Sequence, residues 1–246
     1  MTSSQLLVVA LASALGALVK SVTGLGYPVL AIPVISLVLG VENAVVIVAV
    51  PNLAVNIFLC WESRDARDQT RDLGRLCGFG MVGAVIGTVA LVRLPEQPLL
   101  IVLGVSIFVF IFQFFRKPEF ALSAATTRRW SPAVGLLSGA MQGAIGVSGP
   151  IVATWTHIYR LPVRAYIHSI TLIFGVTGAV QLTILLLNGQ MTTDRFLAAA
   201  VASVAVAVVT PIGLRLRGRL AGPTFQTLVL LTLMVSAVAL LVDALS

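Results

Sequence analysis

Two short segments carry the residue types that could bind an anion. Thr23-Gly24-Leu25-Gly26-Tyr27-Pro28 and Ile145-Gly146-Val147-Ser148-Gly149-Pro150 each set glycines, a hydroxyl side chain and a proline inside apolar sequence. Glycine lets the backbone come close to a ligand, and proline in the first turn of a helix sacrifices no hydrogen bond. The remaining N–H groups of a helix that restarts there point back toward the break, which is anion chemistry. Gly24 and Gly146 stand 122 residues apart, essentially half of the 246-residue chain. At that offset Lys20 pairs with Gln142, Gly26 with Ser148 and Pro28 with Pro150. One break would thus bring a cation and the other a neutral donor, with hydroxyls from Thr23 and Ser148 and close approach at Gly24, Gly26, Gly146 and Gly149. Small residues that merely let helices cross tightly are the structural alternative.

The elements that must position these groups are membrane helices. A chain with 58% hydrophobic residues, 10% charged residues and a mean hydropathy of +1.04 has too little polar surface for a water-soluble domain of this size. Uncharged runs of spanning length predict helices at Asn43–Trp61, Leu76–Val92, Pro98–Phe115, Ala165–Leu187, Phe196–Leu214 and Thr224–Val242. Two stretches, Gln5–Gly40 and Trp130–Tyr159, are too long for one span and contain the breaks. Pro28–Gly40 would reach only about 20 Å as a helix, too short to cross upright. Each broken stretch therefore reads as a re-entrant hairpin whose tip lies inside the bundle, where protein or a wet cavity covers the irregular backbone; a pair of short true spans is the alternative with the same charge parity, and length favours the hairpin. The expected fold is all-α: a polytopic helical bundle of two repeats, 1–122 and 123–246, each a broken hairpin followed by three spans.

Charge placement sets the orientation of the repeats. If each hairpin returns to its own side, thirteen cations gather on one face, in the loops at 62–75, 116–129, 160–164 and 215–219, against Arg93 and Arg195 opposite. A single crossing per broken stretch would divide them six to nine. Cytoplasmic loops collect positive charge, so the repeats are expected to be inverted and both termini to lie outside the cytoplasmic (inner) membrane. Lys20 is the remaining cation; it either snorkels from a shallow position or serves the site, and its distance from the start of the run favours the second.

The net charge of +7 follows from those loops and implies no nucleic-acid partner. The N-terminus has no positive n-region or small-residue cleavage site, so no removable signal peptide is expected. Cys60 and Cys77 read as packing residues, and no cofactor or metal is expected. Asn52 after Pro51, with Asn56 one turn on, either lines the cavity or repairs a proline kink. No Asp or Glu lies within a span interior, so coupled protons would have to ride on His157, His168 or the substrate. Gly78-Phe79-Gly80-Met81-Val82-Gly83 fits GxGxxG, but it opens an apolar helix with no strand before it; with Gly87 it reads as a packing stripe. Gly146-Val147-Ser148-Gly149 fits the GxSG of an intramembrane serine protease, with His168 or His157 as base, although the first half has Gly26 in place of the serine. An anion channel is the alternative within transport.

With its two breaks, its length of about 250 residues and Pro51-Asn52 in the following helix, the whole chain resembles the sulfite exporter family of the TauE/SafE type. The resemblance implies movement of sulfite, sulfonates or related organosulfur anions across the cytoplasmic membrane, mostly outward. The substrate site expected at the two breaks comprises Lys20, Thr23, Gly24, Gly26, Tyr27, Pro28, Asn52, Gln142, Gly146, Ser148, Gly149 and Pro150. Phe174 stands where the repeat would echo Asn52, so a symmetric polar ring is incomplete. A homodimer is a further partner the sequence allows.

Overall fold

The computed structural model describes residues 1–23, 26–116, 122–220 and 223–245, with the side chains at 23, 114–116, 217–220 and 223–226 left aside. All ordered elements among them are helical. They are α1 (Ser3–Thr23), α2 (Tyr27–Leu39), α3 (Val41–Glu62), a 3₁₀ turn (Arg64–Gln69), α4 (Leu73–Arg93) and α5 (Glu96–Arg116) in the first half of the chain. The second half continues with α6 (Ala124–Ile145), α7 (Gly149–Ile158), α8 (Val163–Leu187), α9 (Thr193–Leu220) and α10 (Pro223–Leu245). Seven of the described helices are long and apolar enough to cross a membrane: α1, α3, α4, α5, α8, α9 and α10. The six plain spans read from the sequence are all among them.

Both breaks fall where the glycines and prolines lie. Helix α6 ends at Ile145 because Gly146 takes a left-handed φ of 68°, and its N–H returns to the carbonyl of Gln142. Only glycine adopts that conformation at no cost. Pro28 and Pro150 are each the second residue of the restarting helix, within the first turn where no N–H is needed. The arms of each hairpin are unequal, however. Helix α1 has 21 residues, about 31 Å, a full crossing length, whereas α2 has 13.

The chain divides into two compact units that do not follow its halves. Unit 1 comprises Met1–Pro51, Leu94–Phe112 and Gly189–Ser246; unit 2 comprises Asn52–Arg93 and Gln113–Asn188. In unit 2, α6 packs along α4 almost backbone to backbone. A Cβ placed on Gly83 would lie 2.0 Å from the Leu136 carbonyl oxygen, on Gly87 2.0 Å from that of Ala140, and on Gly139 2.0 Å from that of Gly80. Gly80, Gly83 and Gly87 are therefore a packing stripe, met by Gly135, Gly139 and Gly143 on α6, whereas nothing lies within 4 Å of a Cβ on Gly78. In unit 1, α1 packs on α9 and on α2, with Gly213 against Ser21 and Gly16 against Tyr27.

Within each unit the hairpin returns to the end where it started. In unit 2, Arg75 at the start of α4 donates to the carbonyl of Arg128 at the start of α6. Tyr159, just past α7, donates to Asp72, just before α4. In unit 1, the start of α1 (Met1, Gln5) and the end of α2 (Val38, Leu39) line one cavity of about 560 Å³ with Asp194 and Arg195 of α9. Arg195 pairs there with Glu42 at 2.7 Å, at the start of α3. A hairpin that came out on the other side could make neither set of contacts.

Candidate functional site

The break in unit 2 is a closed polar network. Gln142, one turn before the end of α6, accepts a hydrogen bond at Oε1 from Ser148 Oγ at 2.9 Å. Its Nε2 donates to Gln181 Oε1 on α8 at 3.3 Å. Gln181 Nε2 in turn donates to the carbonyls of Gln142 at 2.8 Å and Gly143 at 3.2 Å. Both carbonyls lie in the last turn of α6; that of Gln142 also accepts the N–H of Gly146, so Gln181 adds a second donor there and supplies one to Gly143 from outside the helix. All three side chains are at most 3% exposed. Ser148 precedes α7 as its cap residue, and its carbonyl accepts from Ile151 and Val152. The hydroxyl of Ser148 does not cap the helix; its proton goes to Gln142. The donors left over at this break are thus the second N–H of Gln142 and the N–H of Gly149, since Pro150 has none and Ile151 and Val152 give theirs to Ser148.

The break in unit 1 has a different lining. Tyr27, fully buried, opens α2, and its hydroxyl meets Ser13 Oγ on α1 at 3.1 Å. Gly26 caps α2 with an extended φ of −62° that any residue adopts, and a Cβ there would meet only ordinary contacts with Val29 and Pro28. Glycine at 26 is therefore not demanded by the protein's own packing. Lys20 stands half-buried in the last turn of α1, where a cation complements the partial negative charge of the final carbonyls. Gly24 and the side chain of Thr23 lie outside the described residues.

Asn52 and Asn56 are both buried, and Asn56 Nδ2 donates to the carbonyl and to Oδ1 of Asn52, at 2.9 and 3.1 Å. Both bonds run along one helix, between residues one turn apart. Phe174 packs against the apolar cluster of Leu76, Val152, Tyr159 and Ile173. The histidines do not serve Ser148. His168 Nδ1 lies 3.2 Å from the carbonyl of Cys60 and 3.5 Å from Ser63 Oγ, while His157 is exposed at the end of α7. Both cysteines are free and partly buried. Among the described residues no group of His, Cys, Asp and Glu could hold a metal ion.

Gln181 is the site residue that the sequence reading missed. A glutamine in the middle of an apolar span was the available signal, since a polar amide in lipid needs a partner; its repeat counterpart is Leu59, so the comparison of halves passed over it.

Comparison with known proteins gives a family model described as "Sulfite exporter TauE/SafE" that matches residues 9–240. No curated protein and no solved structure matches the chain.

Proposed function

The chain belongs to the sulfite exporter TauE/SafE family, which consists of membrane transporters and not enzymes, and from that premise we propose that it is a secondary transporter of a small sulfur oxyanion or organosulfonate. The observation that carries this reading is the pair of helix breaks at matched positions, one of them backed by a buried network that leaves N–H donors over. In transporters built from repeats, discontinuous helices of this kind hold the substrate near the bilayer midplane, and the repeats move in opposition around it. The breaks supply Lys20, Thr23, Gly24, Gly26, Tyr27 and Pro28 from the first repeat (1–122), and Gln142, Gly146, Ser148, Gly149 and Pro150 from the second (123–246), with Asn52 at the edge. Lys20 offsets the anion's charge; Gln142 and the helix amides orient its oxygens.

The proposed direction is outward, with both termini outside and the arginine-rich loops in the cytoplasm. An inside-negative potential favours the exit of an anion by about 2.3 kcal/mol per charge per 100 mV. Export thus requires no coupled ion. Supporting the inverted arrangement, the start of α6, the end of α7 and the loop before α4 share one end of unit 2 with Arg64, Arg67, Arg71 and Arg75.

Proteoliposomes assayed with sulfite, thiosulfate, sulfoacetate, taurine and chloride test the proposal. Saturable movement of at least one sulfur anion is expected, strongly reduced in Lys20→Ala. Flux that rises linearly with concentration would make the protein a channel, and chloride alone moving would remove sulfur anions from the reading.

A further inference from the structure

We propose that Gln181 is a positioning residue for transport: it fixes which end of the Gln142 amide faces the break, and so decides whether that break presents a donor or a lone pair to the anion. This rests on the anion reading above. The polarity follows from the backbone outward. Main-chain carbonyls only accept, so the end of Gln181 that faces the Gln142 and Gly143 carbonyls must be its NH₂ group. Its oxygen then faces Gln142 at 3.3 Å, which requires the NH₂ end of Gln142 at that point. The remaining oxygen of Gln142 is left to accept from Ser148. Each step leaves one choice, and the direction of the relay is set by two carbonyls that cannot turn round.

The consequence concerns what is left over. Gln142 Nε2 carries two N–H groups; one goes to Gln181, and the other has no protein partner among the described residues. Without the carbonyl of Gln181, the Gln142 amide is free to rotate by half a turn. Nε2 would then serve Ser148, and Oε1 would point a lone pair where an anion is to bind, turning attraction into repulsion. The rotation changes no volume and buries nothing new, so its effect falls on substrate affinity. A plain helix-capping role for Gln181, by contrast, needs only its donors.

Saturation kinetics of sulfite efflux from proteoliposomes, or of sulfoacetate if that moves better, separate the two roles. Gln181→Met is expected to raise KM about ten- to a hundredfold, the loss of one hydrogen bond to a charged group, with the maximal rate nearly unchanged. Gln181→Leu likewise removes the acceptor that aligns Gln142, and it is expected to raise KM similarly. It also serves should Gln181→Met not fold. In a Gln142→Met background either change is expected to add less than about twofold, because the residue acts through Gln142. A wild-type KM in Gln181→Met or Gln181→Leu, or the same KM increase with and without Gln142, overturns the proposal in favour of capping alone. Absence of sulfur-anion transport by the unaltered protein would instead count against the anion reading.

Discussion

Replacing Gly139 with alanine puts the close contact of α4 and α6 to a quantitative test. The added Cβ would stand 2.0 Å from the Gly80 carbonyl oxygen, 2.8 Å from its carbon and 2.9 Å from the Ala84 nitrogen. Cβ atoms essentially never come nearer than 3.0 Å, so α6 must retreat by about 1 Å or more. All three obstacles are backbone, and none can swing aside. Overpacking of a well-fitted interface costs about 1–3 kcal/mol, and rigid neighbours put this case at the upper end. Alanine's better helix propensity returns about 0.8–1 kcal/mol, for a net loss of about 2 kcal/mol. Gly175→Ala is the control on α8: nothing lies within 4 Å of its Cβ, so the propensity gain stands alone. For a chain of this size the expected shifts are about 4–8 °C downward for Gly139→Ala and about 2–4 °C upward for Gly175→Ala. Melting in detergent, followed by the fluorescence of Trp61, Trp130 and Trp155, reports on unit 2, which contains all three tryptophans. Gly139 lies one turn before Gln142, so sulfur-anion transport should fall with stability. A Gly139→Ala protein that melts at or above the unaltered one would refute the packing argument.

Three further outcomes follow from groups outside the breaks. Ser36 Oγ on α2 is buried with no hydrogen-bond partner, so Ser36→Ala should leave the melting temperature unchanged or raise it; a loss above about 1 kcal/mol would mean that the hydroxyl has work to do. Arg195, its side chain 15% exposed, donates to Glu42, Asn43 and Gln190, and Arg195→Met leaves Glu42 with its charge uncompensated. Glu42 is 38% exposed, so a cost of about 1 kcal/mol in thermal unfolding is expected, with Glu42→Gln milder because Asn43 and Gln190 still hold Arg195; equal effects would show those two bonds to be idle. The hydrogen bond and charge of Arg164 hold the Asp65 carboxyl below its usual range. A depressed carboxyl contributes fully above its unfolded value of about 4 and loses that contribution as the pH falls through the lower folded one. Pepsin cleavage within 63–72 should therefore increase only in that acid window, and Asp65→Asn should abolish the step; cleavage that is unaffected by Asp65→Asn would show the pair to be idle.

Much of the architecture was legible because hydropathy and charge speak directly to it. Runs without charge gave the six plain spans, and Gly146 marked a break because no other residue takes its φ cheaply. The return of the unit 2 hairpin to its own end was expected from the placement of Arg64–Arg75 and Arg128–Arg164 and agrees with the contacts of Arg75 and Tyr159, and in unit 1 the start of α1 and the end of α2 line one cavity. The length of α1 was less readable, since nothing between Gln5 and Thr23 says whether a long apolar run is one full arm or a shallow one. Ser148 was expected to offer its proton to a ligand, but the relay through Gln142 claims it. Which helices pair was not readable at all, because hydropathy gives a helix an apolar surface without saying whose surface it meets.

That pairing has a physical logic of its own. In lipid no hydrophobic force draws one apolar helix to another, so association depends on how closely two backbones can approach. Helix α6 offers Gly135, Gly139 and Gly143 at intervals of four, and α4 answers with Gly80, Gly83 and Gly87. At the offset of 122 the α6 glycines correspond to Ser13, Ala17 and Ser21 of α1, and Gly80 to Ala202 of α9, all small and buried. The same device is thus used twice, α6 on α4 in unit 2 and α1 on α9 in unit 1. In both cases the first helix of one half leans on the fourth helix of the other. Neither half of the sequence therefore contains the surface on which its own broken helix rests, and the repeat describes the ancestry of the pattern better than it describes a unit of folding. Each break thus rests on a close-packed pair of helices inside one unit, α6 on α4 or α1 on α9.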